Sequence, residues 1–366
     1  MRLRVKLFDI FIFLITLLKS LGARAEDPVY VIAFIIGCFS ILIKMLREQF
    51  TRHELISVIF IIIVGTADFI LGNATTVLFT AIAICGTKNI DKSHVVRIVF
   101  WTRLIAFFAL ISLSAFGIIE NEVVQVYRND VAINRYMLGH DHPNMAHMSF
   151  AIIVVLMLYL YGEKMRLLHY CALLICNLVL YKFTYSRTGV LLILVSILFD
   201  AGVKNFQIQK LSMRLLKNLY IWEFVLTLFV ALAYGRIELL DGLNKMLTGR
   251  VWYMHTLLTN FAPPIFGSME YNQYVNIDNG YISLLYQGGI LAFVWFSYYV
   301  ITLMKKLYVE NRVRDFFLVI NFIVYSFTES FFPAISINIS LLFLGEVIFQ
   351  IKPKKYMPQY VNKKVF

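Results

Sequence analysis

Apolar residues run through this chain in long blocks separated by short clusters of charge, and twelve blocks approach the length needed to cross a bilayer. They are centred within Leu7 to Leu21, Tyr30 to Met45, Leu55 to Leu71, Thr75 to Cys85, Val96 to Ile118, Met145 to Tyr161, Leu167 to Tyr181, Thr188 to Phe199, Leu219 to Tyr234, Tyr281 to Met304, Phe316 to Phe331 and Ile335 to Ile351. A hydrocarbon core of about 30 Å takes roughly 20 helical residues to cross, and lipid offers the backbone no other hydrogen-bond partner. The pattern predicts an all-α polytopic membrane protein with about twelve transmembrane helices, of which the fourth and eighth are short. No internal repeat, low-complexity tract or Pro-rich linker divides it, so residues 1–366 read as a single integral membrane domain.

Composition supports that class. The chain is 60% hydrophobic and 16% aromatic, with a mean hydropathy of +0.74. Its 34 Lys and Arg residues set an orientation, because positive charge is retained on the cytoplasmic side. Arg2, Arg4 and Lys6 place the N-terminus inside. Twelve crossings then put the clusters around Lys44, Lys88, Lys164, Lys210 and Lys305 in inside loops, and the basic tail from Lys352 inside as well. The net charge of +12 is therefore a topology signal, and nucleic acid is not an expected partner.

The first block has a basic start and Leu21-Gly22-Ala23-Arg24-Ala25 after it, as a signal peptide would, but with eleven blocks following a retained helix is expected. Cys38, Cys85, Cys171 and Cys176 lie in apolar blocks without metal-site spacing and are expected as small core residues.

Two outside loops, about 119–144 and 235–280, exceed what connection requires. In the second, Leu243, Met246, Leu247, Arg250, Val251, Met254, Leu257 and Leu258 recur at three- and four-residue steps, which predicts a helix lying in the membrane interface. Arg250 shares a face with Met246 and Met254, so its planar fork is expected either to meet phosphate oxygens of headgroups or merely to snorkel. Asp278-Asn279-Gly280-Tyr281 stands at the mouth of the tenth block, readable as a helix cap or as a polar site.

The first loop carries Arg135 and ends His140-Asp141-His142-Pro143-Asn144. Alternate residues of an extended segment point apart, so the two His do not make a metal site; Pro143-Asn144 reads as a helix start, with His140 and His142 facing an outside cavity. Tyr185-Ser186-Arg187-Thr188-Gly189 opens the eighth block with an Arg that needs a partner or a ligand at that depth. Asp68, Asp200 and Glu223 lie near block ends and read as structural, Glu329 can line the outside cavity, and Arg103 and Glu346 belong to the cytoplasmic third. Trp252, Tyr253, Tyr271 and Tyr274 suit sugar stacking and the membrane interface equally.

The order His-Pro-Asn, Ser-Arg-Thr-Gly, Gly249-Arg250, Phe266-Gly267, Asp278-Asn279-Gly280-Tyr281 and Gln287-Gly288-Gly289-Ile290 resembles the Wzy-type polysaccharide polymerases of the O-antigen ligase and polymerase superfamily, over roughly Arg135 to Ile290. The resemblance implies a GT-C-type glycosyltransferase of the bacterial cytoplasmic membrane, both termini inside. It would join oligosaccharide repeat units carried on undecaprenyl diphosphate, on the outer face, into a surface polysaccharide. No metal or cofactor is expected, and the chain has no P-loop or Gly-rich nucleotide motif. In this reading Arg187, Arg250 and Arg135 hold the diphosphate and stabilise its developing charge. Where the related ligases carry His this chain has Asp278, the expected catalytic residue as base or as orienter of the acceptor hydroxyl. His140, His142 and His255 are the reserves, and Asn144, Tyr185, Asn279, Tyr281 and Glu329 complete the expected substrate-binding set. The implied partners are lipid-linked donor and acceptor, membrane lipid, and the flippase and chain-length regulator of the same pathway. An O-antigen-type ligase and a flippase for the same lipids are the alternatives.

Overall fold

The computed structural model of this chain describes residues 2–23, 27–128 and 131–350; the basic tail from Lys352 and the Arg24-Ala25 pair lie outside them. The described residues are 73% helical and nearly all-α. In order come α1 (Arg2–Ser20), α2 (Pro28–Leu46), α3 (Arg52–Gly72), α4 (Thr76–Cys85) and α5 (Lys92–Ala115), then strands β1 (Val123–Arg128) and β2 (Val131–Tyr136). There follow α6 (Pro143–Tyr161), α7 (Leu167–Thr184), α8 (Arg187–Gly202), α9 (Phe206–Leu216), α10 (Leu219–Ala233), α11 (Glu238–Met246) and α12 (Arg250–Asn260). The chain closes with α13 (Gly280–Gln287), α14 (Gly289–Val309), α15 (Val313–Ser326) and, after a 3₁₀ turn over Ile339–Leu344, α16 (Gly345–Ile348).

Among the described residues, six helices are long and apolar enough to cross a membrane: α2, α3, α5, α6 with its 3₁₀ extension, α7 and α14. A seventh is obtained if α9 and α10, bent by 50° at their junction, count as one span. The twelve apolar blocks therefore do not become twelve full-length helices. α4 has ten residues, about 15 Å of helix or half a hydrocarbon core. The tenth block breaks into α13 and α14 at Gly288-Gly289, where Gly289 adopts φ +75. The last block is a 3₁₀ turn and one turn of α-helix.

Short and irregular pieces survive in such an environment only where protein satisfies their backbone. Here Thr80 of α4 donates through Oγ1 to the Pro333 carbonyl at 2.5 Å and accepts from the Ile335 N–H at 3.1 Å. Arg103 of α5 donates to the Ser336 carbonyl, and Asn338 Nδ2 donates to the Phe332 carbonyl at 2.9 Å. These contacts bury the non-helical stretch after α15 in the main apolar core with α4, α5, α6 and α14. Cys85 joins that core, whereas Cys171 and Cys176 are exposed on α7, contrary to the expected burial; all four thiols are free.

Helix ends gather in two sets. In one, Lys44 at the end of α2 donates to the Lys88 carbonyl at 2.6 Å, and Lys88 pairs at 2.7 Å with Glu54 in the first turn of α3. Arg312 between α14 and α15 bridges Glu346 and Asp315, Lys92 of α5 also meets Glu346, and Arg314 pairs with Asp200 near the end of α8. This set holds the Lys- and Arg-rich loops that the charge rule assigns to the cytoplasm. The other set holds both long loops.

The first long loop contains an unexpected antiparallel hairpin, β1 against β2, running from Val123↔Tyr136 to Arg128↔Val131. Alternating Val, Ile and Tyr around Asn129-Asp130 in the sequence carried that signal.

Candidate active site at the loop-bearing end

The second long loop does not lie flat as one amphipathic helix. Thr248 (φ 56) and Gly249 (φ 88) take left-handed backbone, which ends α11 and lets α12 begin afresh at Arg250. The expected helix over 243–258 is thus two helices, and Arg250, instead of facing headgroups, turns inward and is only 8% exposed. A guanidinium so buried requires partners. Its Nε lies 3.2 Å from Asp278 Oδ2, just before α13, and its Nη2 lies 3.5 Å from Glu329 Oε1, in the turn beyond α15.

Capping and chemistry are divided between neighbours at the start of α13. Asn279 is the N-cap: its Oδ1 accepts from Tyr281 N at 3.0 Å and Ile282 N at 3.1 Å, and its Nδ2 donates to the Phe327 carbonyl at 2.9 Å. Asn279 is itself buried and fully committed, so it serves as a structural cap and not as a sugar contact. Asp278 is released from capping, and its half-exposed carboxylate can meet both Arg250 and a ligand. Burial pushes the Glu329 carboxyl up to about 7, against the pull of Arg250 and with the push of Asp278.

The first long loop reaches the same place. Arg135, at the end of β2, donates through Nε to the Thr184 carbonyl at 2.7 Å and through Nη2 to Asn144 Oδ1. It thereby ties the last turn of α7 to the first turn of α6. α6 starts at Pro143 as expected, with His142 as N-cap accepting the Asn144 N–H on Nδ1 at 3.1 Å. His142 feels the charges of Arg135, Asp278 and Arg250 together; burial and Arg135 lower its pKa below the usual imidazole value, with Asp278 opposing. Arg135, His142, Asn144, Arg250, Asp278 and Glu329 thus form one polar cluster built from both loops and the turn after α15.

Other expected residues stand apart from it. Arg187, the first residue of α8, follows the gripped Thr184 after left-handed Tyr185 and extended Ser186, with an exposed side chain that makes no ion pair or hydrogen bond to the described residues. Tyr185 takes left-handed backbone (φ 47) and packs against Tyr181. His140 donates within its own turn, from Nδ1 to the Leu138 carbonyl at 3.2 Å, and packs against Phe107. His255 is turned away, with Nδ1 2.8 Å from the Ala231 carbonyl of α10. Tyr281 is fully buried between Tyr220 and Phe332 and donates to Glu223 at 3.1 Å, which leaves it no face for a substrate.

Two structural devices under the cluster escaped the sequence reading. His147 of α6 is buried, with Nδ1 2.8 Å from Thr184 Oγ1 and Nε2 2.8 Å from Asn177 Oδ1. A Cβ on Gly189 would stand 2.4 Å from its ring, so the Gly of Arg187-Thr188-Gly189 is there to let α8 reach α6. Asn177 and Thr184, seven residues apart on one face of α7, were the available signal. The second device is Gly267: its N–H donates to Asp68 at 2.9 Å, and a Cβ on it would fall 1.9 Å from the Gln287 carbonyl. Gly72 and Gly289 are equally tight against 265–268, so Phe266-Gly267 and Gly288-Gly289 are two halves of one packing contact.

Among the described residues no group of three His, Cys, Asp or Glu side chains could hold a metal ion. The cluster is suited to an anionic ligand on its guanidinium groups beside a carboxylate that can accept a proton. No known protein family, curated protein or solved structure matches the chain.

Proposed function

We propose that this protein is a Wzy-type polysaccharide polymerase, joining undecaprenyl-diphosphate-linked repeat units on the outer face of the bacterial cytoplasmic membrane. In this reading α4, α13 and the irregular stretch before α16 are part-crossings of a twelve-block GT-C architecture. The observation that carries it is the meeting of Arg135, His142, Arg250, Asp278 and Glu329 at the end of the bundle that bears both long loops.

The chemistry follows from the charges. Donor diphosphate oxygens displace Asp278 and Glu329 from Arg250. The acceptor hydroxyl attacks the anomeric carbon as the bond from that carbon to the phosphate oxygen breaks. The hydroxyl proton goes to Asp278, and the electron pair leaves with the lipid diphosphate, whose charge Arg250 stabilises. Grouping at one end of the bundle favours this over transport, which needs a site near the midplane.

The test is reconstitution: purified protein in vesicles, supplied with lipid-linked repeat units, should produce a ladder of longer glycans. Movement of labelled lipid between leaflets without a ladder, or glycan transfer only to a different acceptor, would replace this reading with a flippase or a ligase.

A further inference from the structure

A second recess opens where α3 ends against the long loop. It has a volume of about 630 Å³ and is lined by Phe69, Leu71, Asn73, Ser268, Glu270 and Gln273 with their chain neighbours. Its walls are fixed. Met269 N donates to the Gly72 carbonyl at 2.8 Å, Ser268 N donates to the Tyr286 carbonyl at 3.1 Å, and a Cβ on Gly72 would meet Gly267 O at 2.0 Å.

The lining chemistry differs from that of the Arg250 cluster. Asn73, Glu270 and Gln273 are exposed and their side chains make no hydrogen bond to the described residues, so amide and carboxylate capacity is unspent. No Lys, Arg or His lines the recess, which removes the means of holding phosphate. One wall is apolar: Phe69 is 46% and Leu71 70% exposed. Amides, a carboxylate and an aromatic ring are what a neutral sugar uses, through its hydroxyls and its C–H face.

Position adds a second reason. Gln287, at the far end of α13 from Asp278, donates through Nε2 to Asn272 Oδ1 beside the recess at 2.8 Å. The eight residues of α13, about 12 Å of helix, separate Asp278 from Gln287, a span longer than one sugar ring.

We propose that this recess is a neutral-oligosaccharide subsite that holds the glycan of a lipid-linked unit several sugars away from the reacting bond. The assignment rests on the polymerase reading for its place in the reaction, but its ligand can be tested directly. The probe is the repeat-unit oligosaccharide cut from its diphosphate by mild acid, titrated against purified protein by saturation-transfer NMR. Binding is expected in wild type, retained in Arg250→Ala, and lost in the combined Asn73→Ala, Glu270→Gln, Gln273→Ala protein, whose exposed substitutions leave the unfolding temperature unchanged. In the ladder assay the same triple variant should raise KM about tenfold while kcat stays within about twofold. No binding in wild type, or binding that survives the triple variant, overturns the subsite. Binding that behaves as expected in a protein that makes no ladder overturns only the polymerase reading.

Discussion

Arg250 Nε lies 3.2 Å from Asp278 Oδ2, joining the first residue of α12 to the residue before the α13 cap. Each partner comes from a break in helical structure: left-handed Thr248-Gly249 on one side, the Asn279 cap on the other. The pair therefore depends on backbone geometry that no smooth helix would supply. Glu329 adds a second carboxylate to one guanidinium, which in the proposed reading lets that group exchange a carboxylate for a phosphate.

Replacing Arg250 tests that exchange. Arg250→Ala is expected to reduce ladder formation by about 10²–10³, the cost of losing one preorganised donor to developing charge. Arg250→Lys should recover only part of this, because a point charge cannot reach both carboxylates and a phosphate as a planar fork does. Initial rates on lipid-linked substrate, normalised to folded protein by size exclusion, decide the matter; a full ladder from the Ala variant removes Arg250 from the chemistry.

Asp278 offers a split between two roles. As proton acceptor it should lose about 10²–10⁴ in kcat on change to Asn, with KM little altered. A residue that only orients the hydroxyl would keep most activity as Asn, which retains an acceptor oxygen. We expect the first outcome, read from kcat and KM measured separately.

The sequence made the membrane class and the site's addresses legible for different reasons. Long apolar blocks and clustered Lys and Arg are summed signals, insensitive to any one residue, and they located the helices. The positions Arg135, His142, Arg250 and Asp278 stood out because they lie in the two outside loops that exceed what connection requires. What stayed hidden depended on backbone breaks. Arg250 kept helical phase with Met246 and Met254 on paper, and only the left-handed turn at Thr248-Gly249 re-aims it inward. Among the described residues only six or seven of the twelve blocks become helices long enough to span, because hydropathy does not distinguish α4, packed against the 333–335 backbone, from a helix that crosses. Arg187 was legible as a charge in an apolar setting but not as one left exposed.

Acidification should strengthen anion binding at the cluster. Glu329, pushed up to about 7 by burial, loses its negative charge as pH falls through that value. His142, lowered chiefly by burial and then by Arg135, stays neutral until the pH drops below the ordinary imidazole range and then gains positive charge. Between about pH 8 and about pH 6 the Glu329 change alone should raise affinity for an isoprenyl diphosphate severalfold, and His142 adds a change of the same sign only at lower pH. Glu329→Gln should flatten the upper part of that profile. Calorimetric titration at stepped pH tests it; affinity that falls on acidification contradicts the assignment.

Glycine substitutions separate packing from chemistry because a Cβ would meet different surroundings at three positions. At Gly267 it would fall 1.9 Å from the Gln287 carbonyl, a backbone atom held by α13 and unable to rotate away. Gly267→Ala must therefore push the loop off α3 and α13, at a cost of about 1–3 kcal/mol or more. At Gly189 the obstacle is the His147 ring, 2.4 Å away, and moving it breaks contacts to Thr184 and Asn177 that underlie the Arg135 anchor. Gly189→Ala should thus lower both stability and ladder formation. At Gly242, within α11, nothing lies within 4 Å, so Ala should be neutral or stabilise by up to about 1 kcal/mol through helix propensity. Thermal unfolding in nanodiscs should rank Gly242→Ala at or above wild type, with Gly189→Ala and Gly267→Ala below it. Unfolding temperatures alike in all four proteins would mean that the loop does not pack against α3 and α13 as described.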